Sequence, residues 1–174
     1  MKVSLIMPTI NVTKELDLFL QSLVQQTYQD FELIVVDQNP DRRVLDIVMK
    51  YEDKIEIKYI RSSQKGLSLN RNKGLIAREG EIIGFPDDDC EYQPDTIEKV
   101  VSFFEKKKAY RIYSCRTLER GKDYGTGIME TTDMDIKPNN VSKTVKSITF
   151  FVNYRQDEIV LFDENLGVGS VFGS

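Results

Sequence analysis

The 174-residue chain contains no histidine, and it has only two cysteines, Cys90 and Cys115. Without an imidazole, Ser-His-Asp and Cys-His triads, histidine general bases and imidazole zinc sites are all excluded. The cysteines form no CxxC pair, which is typical of a reducing compartment, and we expect both thiols in or near the core. Acid–base and metal chemistry must therefore come mainly from carboxylates, whose oxygens suit Mg²⁺ or Mn²⁺.

The chain also lacks long apolar runs and an excess of positive over negative charge. No run approaches the ~20 apolar residues of a transmembrane helix, and the segment MKVSLIMPTI does not have the form of a signal peptide. We therefore expect a cytoplasmic protein, either free or peripheral at the inner face of the membrane. The net charge of −4 argues against a nucleic-acid partner, because phosphate binding favours a basic face.

Strand-like and helix-like segments alternate along the first two thirds of the chain, which predicts an α/β fold with a parallel sheet. Little periodicity follows, so we expect a long loop over 119–147, a short strand near 148–152 and a last apolar run over 159–162. Gly80 is expected to close the third helix and Pro94 to open the fourth. The predicted strands are 3–7, 32–37, 55–59, 81–85 and 110–117, and the predicted helices are 13–26, 42–51, 66–80 and 95–107.

Polar residues follow three of the predicted strands. Thr9 and Asn11 follow the first, Asp37 and Gln38 the second, and the three carboxylates of 87–89 the fourth. The carboxyl ends of parallel strands share one edge of a sheet, where open α/β sheets bind ligands. No Lys or Arg occurs in the nine residues after the carboxylates. A divalent cation that bridges these carboxylates and a diphosphate would supply the missing positive charge. The alternative is a solvated acidic turn.

Other known sites do not fit this pattern. An EF-hand needs Gly at the sixth loop position, where this chain has Tyr92. No GxGxxG follows the first strand and no GxxxxGK[ST] is present, which excludes the dinucleotide fingerprint and the P-loop.

Several segments, in the right order and spacing, resemble the family-2 glycosyltransferases of the GT-A nucleotide-sugar fold. The resemblance implies a three-layer α/β/α (Rossmann-like) domain with a mostly parallel central sheet. It also implies a donor-binding half over 1–118 and a partial acceptor-side region over 119–174, truncated at its carboxyl end. The similar segments are SLIMPTIN (4–11), LQSLVQQTYQDFELIVVD (20–37), GLSLNRNKG (66–74), FPDDD (85–89) and FDENLG (162–167).

The same resemblance implies that four residues at the first two strand ends bind the nucleotide. Pro8 and Thr9 would contact the base or ribose, and Asp37 and Gln38 would grip the base. The family usually has Asp where this chain has Gln38. A Gln carbonyl can still accept the N–H of uracil, but it carries no charge.

It further implies that Arg71 lies near the base or diphosphate, the alternative being a solvated helix face. Asp87 and Asp89 match the DxD signature. Asp89 would bind Mn²⁺ or Mg²⁺ directly, whereas Asp87 would contact the ribose or the metal through a bound water. Asp88, between them, would point elsewhere or touch the sugar, still within the nucleotide-sugar site.

The implied activity is metal-dependent, inverting transfer from a nucleotide-sugar, expected to be a UDP-sugar, to a hydroxyl of a glycan or lipid-linked sugar in bacterial surface polysaccharide synthesis. The general base is expected beyond Ser174, because Asp163 and Glu164 match the FDENLG segment instead. Two alternatives stand beside this activity: a base-less module that binds nucleotide or a partner protein without turnover, and a plain α/β interaction domain. We also expect that the protein can form a homodimer.

Overall fold

The structure, a computed structural model, describes residues 1–11, 14–118, 133–154 and 160–170. The predicted alternation of four strands with four helices is confirmed; the four helices are shorter than expected, whereas the first three strands are longer. None of the helices within these ranges has the length and apolar character needed to cross a membrane. In chain order the elements are β1 Val3–Thr9, α1 Lys14–Val24, β2 Phe31–Asp37, α2 Arg43–Val48, β3 Glu56–Arg61, α3 Leu67–Ala77, β4 Ile82–Gly84, α4 Thr96–Lys106, β5 Ile112–Ser114, α5 Val141–Thr144 and β6 Phe150–Asn153.

The strands form one six-stranded sheet in the order β3-β2-β1-β4-β6-β5. β1 pairs in parallel with β2 and with β4, and β2 pairs in parallel with β3. β6 is antiparallel to both β4 and β5. The predicted mostly parallel sheet is therefore confirmed. Because β6 lies between β4 and β5, both predicted parts of the chain contribute to the same sheet.

Two apolar cores lie on opposite faces of this sheet. Successive residues of a strand point to opposite faces. Accordingly, Val3, Leu5 and Met7 of β1 join the core formed with α1, α2 and α4, whereas Ile6 joins the core formed with α3. α3 packs closely on β1, because a Cβ at Gly74 would lie 2.3 Å from Cγ2 of Ile6. The described helices thus cover both faces, and the three-layer α/β/α architecture is confirmed.

Gly80 does not have its predicted role. α3 ends at Ala77 and is followed by Arg78 in an extended conformation, so Gly80 is not the residue that closes the helix. Its N–H donates to Oγ of Ser4 over 2.8 Å, and a Cβ at Gly80 would lie 2.6 Å from the backbone nitrogen of Ser4. A glycine is needed here because two backbone segments approach each other closely.

Other predicted boundaries also change. The strand expected over 110–117 is limited to β5, whose residues Ile112–Ser114 pair with β6. The loop expected over 119–147 contains α5, and the short strand expected near 148–152 is β6. Pro94 precedes the helix, since Asp95 is the amino-terminal cap of α4. Of the last apolar run, residues 160–162 form no strand and residue 159 lies outside the described ranges.

A buried carboxylate, Glu32, lies at the amino-terminal edge of the sheet. Its Oε1 accepts hydrogen bonds from Oγ of Ser4 and the N–H of Glu79, both at 2.6 Å, and its Oε2 lies 2.8 Å from Nζ of Lys58. Burial alone would raise its pKa, but these contacts together lower the pKa of Glu32 below the ordinary value. The carboxylate is therefore held ionised inside the fold.

Glu32, Glu56 and Glu79 also form the one cluster of acidic groups, among the described residues, close enough to hold a metal ion. Lys2 lies 2.9 Å from both Glu56 and Glu79, and Lys58 pairs with Glu32 and Glu79. Two lysines already pair with all three carboxylates of the cluster, which lies at the opposite edge from the polar strand ends. We therefore regard it as a structural ion network.

Glu32→Gln should lower the free energy of unfolding at pH 7 by about 2–3 kcal/mol, because it removes the buried partner of Lys58. Since the folded-state pKa of Glu32 is lowered, its stabilisation is present above the ordinary value of 4.5 and is lost as the pH falls through the folded value. Denaturant unfolding should therefore show the full difference from wild type at pH 7 and a smaller one near pH 3.

The matched control is Glu56→Gln, which removes an exposed partner of Lys2 and should cost less than about 1 kcal/mol. Equal losses in the two variants, or a difference that does not change with pH, would contradict this role for Glu32.

Candidate functional site

The candidate site lies at the carboxyl edge of the parallel strands. β1 has β2 on one side and β4 on the other, and connections leaving in opposite directions open a crevice at this edge. The strand register places Thr9 beside Asp37, and the acidic turn of residues 87–89 follows β4 at the same edge. The structure thus brings together the three polar strand ends identified in the sequence.

Thr9 links both sides of the crevice. Its buried side chain donates through Oγ1 to Oδ2 of Asp88 at 2.5 Å, and its carbonyl oxygen accepts from the N–H of Gln38 at 3.0 Å. Asp88 therefore turns inward to β1. Pro8 is buried within β1 beside Val36 of β2.

Asp37 is fully buried, and both of its carboxylate oxygens have partners. Oδ1 accepts from the N–H and the side-chain amide of Asn39 at 2.8 and 2.7 Å, and Oδ2 accepts from the hydroxyl of Tyr59. Oδ1 of Asn39 in turn accepts from the N–H of Asn11 at 2.8 Å, where the chain has φ of 66°. Burial and the charge of Asp37 raise the pKa of Tyr59, so the phenol stays a donor. Asp37 thus holds together the loops after β1 and β2.

Gln38 is half-buried and is fixed by the loop before α3. Its Oε1 accepts from the N–H of Gly66 at 3.0 Å. Gly66 has φ of 131° and ψ of 128°, a conformation that favours glycine. Because a backbone N–H is a donor, the carboxamide atom that faces it must be the oxygen. The carbonyl that was expected to accept the N–H of a base therefore already has a partner.

Arg71 is buried, with 5% of its surface exposed, so the alternative of a solvated helix face is wrong. Its guanidinium carbon lies 5.5 Å from the ring centre of Phe85 and 5.6 Å from that of Phe162, and Nη2 lies 3.7 Å from Oδ1 of Asp87. Burial lowers the pKa of Arg71, which Asp87 partly offsets. Nε and Nη2 have no hydrogen-bond partner within the described part of the chain. These donors, beside the acidic turn, could be satisfied by an anion.

The acidic turn is short of positive charge. Burial, together with the charge of Asp89 and against the effect of Arg71, raises the pKa of Asp87. The pKa of Asp88 is also raised, by burial first and then by its acidic neighbours, although its bond with Thr9 opposes this. Across the described ranges the three carboxylates do not form a closed set of ligands. An exposed Asp89 and a half-buried Asp87 nevertheless offer the hard oxygen donors that fit Mg²⁺ or Mn²⁺, which take further ligands from phosphates or water.

The carboxyl-terminal segment, residues 160–170, lies along α3. The side-chain amide of Asn72 donates to the carbonyl of Phe162 at 3.0 Å and to Oε1 of Glu164 at 2.9 Å. Oδ1 of Asp163 accepts from a backbone N–H two residues further on, at 3.0 Å. Asp163 and Glu164 therefore serve the local structure, and Phe162 is placed against Arg71.

Sequence reasoning missed three residues that shape this site: Tyr59, Gly66 and Asn72. The sequence pattern indicates Gly66 only as the start of a helical segment, and it does not specify the φ angle of this residue. Tyr59 and Asn72 act on residues 22 and 90 positions away, and no local pattern predicts such contacts. An asparagine inside a helix, where it is disfavoured, was the one available signal for Asn72.

The model of the family described as Glycosyl transferase family 2 matches residues 4–164, and the chain belongs to that family. The three-layer fold is the GT-A fold, which solved glycosyltransferase structures share with this chain. The fold and family implied by the sequence are therefore confirmed.

Each match with an individual relative covers only part of this chain and part of the relative. Chondroitin synthase of Pasteurella multocida is 37% identical over 97 residues, which are 54% of this chain and 10% of that protein. Poly(ribitol-phosphate) β-N-acetylglucosaminyltransferase TarS of Staphylococcus aureus is 33% identical over 110 residues, which are 61% of this chain and 19% of that protein. The solved structure of TarS 1-349 in complex with UDP-GlcNAc has a TM-score of 0.75 and 25% identity, covering 88% of this chain and 45% of that one. The chain thus spans less than half the length of these relatives.

Proposed function

We propose that the chain is the donor-binding part of a glycosyltransferase that uses a UDP-sugar and glycosylates a hydroxyl of a glycan or lipid-linked sugar in bacterial surface polysaccharide synthesis. The observation that carries this is the meeting of Thr9, Gln38, Arg71 and the acidic turn at one crevice of a family-2 domain. TarS, a relative, was solved with UDP and with UDP-GlcNAc, which supports a UDP-sugar donor.

The three carboxylates of the acidic turn have different proposed roles. Asp87 and Asp89 would hold Mn²⁺ or Mg²⁺, and the bound cation would offset the negative charge of a diphosphate leaving group. Asp88, held by Thr9, fixes the turn against β1. Arg71 places a buried positive charge 3.7 Å from Asp87 and orients that carboxylate.

We infer that the transfer inverts the anomeric configuration, with a carboxylate as general base. Asp163 and Glu164 are engaged in the carboxyl-terminal segment, so we place the base outside the described residues. An open groove beside α4 and β5 begins at Asp89 and is lined by Tyr92 and Tyr113. It offers the acceptor an approach to the donor site from the side of the acidic turn.

Calorimetric titration with UDP, with MnCl₂ and then with EDTA, tests this proposal. We expect binding that depends on the metal, and release of UDP when UDP-GlcNAc and an acceptor glycan are supplied to the complete protein. Binding without turnover there would favour the base-less module. A chain that binds no nucleotide with or without Mn²⁺ would overturn the proposal and leave the interaction domain.

The homodimer and the cytoplasmic location, free or peripheral at the inner face of the membrane, belong to the same proposal. They concern the whole protein, and the chain matches less than half of the length of TarS.

A further inference from the structure

Positive charge is concentrated at the edge of the sheet formed by β5. Residues 106–118 and 133–146 contain eight Lys or Arg and two Asp, although the net charge of the chain is −4. Within the described ranges, the exposed members of this basic set form no salt bridge. These exposed members are Lys106, Lys107, Lys108, Arg116, Lys137 and Lys143.

Contacts between the two segments make them one surface, which we call the basic edge (residues 106–118 and 133–146). The hydroxyl of Tyr110 donates to Oδ1 of Asp135 at 2.7 Å. Oγ of Ser114 donates to the carbonyl of Thr144 at 2.8 Å. The segment before β6 is therefore held against β5, the last strand of the sheet. Side chains from both segments line the same groove, including Lys106, Lys107, Arg116 and Met134.

Large apolar side chains are exposed among these cations. Tyr110, Ile112, Leu118 and Met134 each keep between 40% and 48% of their surface exposed. A soluble polyanion would use the charges alone and leave the apolar groups in water. The surface of an anionic bilayer uses both, because basic side chains meet the lipid phosphates while apolar and aromatic ones enter the headgroup region.

We propose that the basic edge docks the protein on a bilayer surface rich in anionic phospholipids. The lysines and Arg116 would contact lipid phosphates, and the exposed apolar side chains would enter the headgroup region. The inference deepens the proposed function, on which it rests for the peripheral location, by naming the surface that meets the membrane.

The groove connects this surface with the candidate donor site. One face of α4 lines the groove along the whole helix, through Thr96, Lys99, Phe103 and Lys106. Asp89 of the acidic turn lies at one end of the groove and the basic edge at the other. The 11 residues of α4 span roughly 16 Å. Docking would therefore hold the donor site about one helix length from the headgroups, which favours a glycan carried on a lipid as the acceptor.

The double variant Lys107→Gln/Lys108→Gln tests the electrostatic part. Wild type should sediment with vesicles of phosphatidylcholine and phosphatidylglycerol in equal parts, and much less with phosphatidylcholine alone. Each basic residue near an anionic surface increases affinity roughly 5-fold, so the double variant should bind the mixed vesicles about 20-fold more weakly. The matched control is Lys50→Gln/Lys54→Gln, which removes two exposed lysines between α2 and β3 and should bind like wild type.

Leu118→Ser tests the apolar part. The substitution keeps every charge of the basic edge and removes an exposed apolar side chain. We expect about 5-fold weaker binding to the mixed vesicles, since less apolar surface enters the headgroup region. Binding to soluble polyphosphate, which has no apolar region, should not change.

The outcomes separate the docking surface from the nucleotide site. Wild type that binds polyphosphate but not the mixed vesicles would overturn the inference and assign the basic edge to a soluble anionic polymer. Vesicle binding that is unchanged in Lys107→Gln/Lys108→Gln would overturn it too. The same variant should bind UDP with wild-type affinity in MnCl₂ and keep the wild-type thermal midpoint. Wild type that binds vesicles but no nucleotide would overturn the proposed donor site and leave the docking surface intact.

Discussion

Asp89→Asn should weaken the Mn²⁺-dependent binding of UDP by at least about 100-fold, the largest effect that we expect from any single change at the site. Asparagine has nearly the same shape as aspartate but lacks the negative charge with which we propose that Asp89 binds the metal. Loss even of residues that only support ligands costs 10–100-fold in affinity. Because Asp89 is exposed, its replacement should leave the thermal stability of the fold almost unchanged. Titration with UDP in MnCl₂ and in EDTA measures the effect.

The control for this change is Asp95→Asn. Asp95 is partly exposed, lies six residues further along the chain and pairs with Lys99 at 2.7 Å on α4. We expect wild-type nucleotide affinity in this variant. If Asp89→Asn binds UDP with wild-type affinity in MnCl₂, the metal assignment is wrong.

Arg71→Met should reduce the affinity for UDP about 30-fold, the second largest effect. Methionine is long and apolar, so it can still fill the space between Phe85 and Phe162. What it removes is the buried charge beside Asp87 and two unpaired donors. Without them the acidic turn and a diphosphate lose a compensating cation in a setting that excludes water. The same titration, with MnCl₂ present, measures the loss.

Arg78→Met is the control for Arg71→Met, because it removes an arginine close to Arg71 in the sequence. Arg78 also lies over an aromatic ring, that of Tyr154 at 5.0 Å, but it follows the end of α3. Seven residues of helix would span roughly 10 Å, which keeps its charge away from the turn. We expect its variant to bind UDP normally. Equal affinities for both variants would show that Arg71 supports the fold alone.

The parallel part of the sheet could be predicted because its signals are local. Continuous apolar runs marked β1, β2 and β4, and apolar spacing marked α1 and α4. α3 was recognised as a helix, but its buried face could not be predicted. Its buried residues include Ser68, Asn70, Arg71 and Asn72, with Leu75 as the one large apolar member. An apolar stripe cannot reveal a helix that buries polar groups, which is why the burial of Arg71 was not foreseen.

The sequence predicts which strand ends form the candidate site. It does not predict which side chains contact each other there. Parallel pairing alone brings Thr9 and Asp37 side by side. Which atoms remain available depends on Tyr59, whose hydroxyl reaches Asp37 from the neighbouring strand. That contact requires the register between β2 and β3, and no local pattern specifies such a register. That the side-chain oxygen of Gln38 already accepts a hydrogen bond follows from the same kind of distant contact, with Gly66.

The position of β6 in the sheet has a consequence for how the chain folds during its synthesis on the ribosome. The first four strands occupy residues 3–84 and neighbour each other in the sheet. They can assemble as soon as that part of the chain has emerged. β5 is synthesised next, but it can join only through β6, which follows about 36 residues later by the bounds of the two strands. During that interval the outer edge of β4 has no strand partner and can pair with another chain. We expect nascent chains arrested before Phe150 to depend on chaperones, and chains arrested well beyond Asn153 to be released from them.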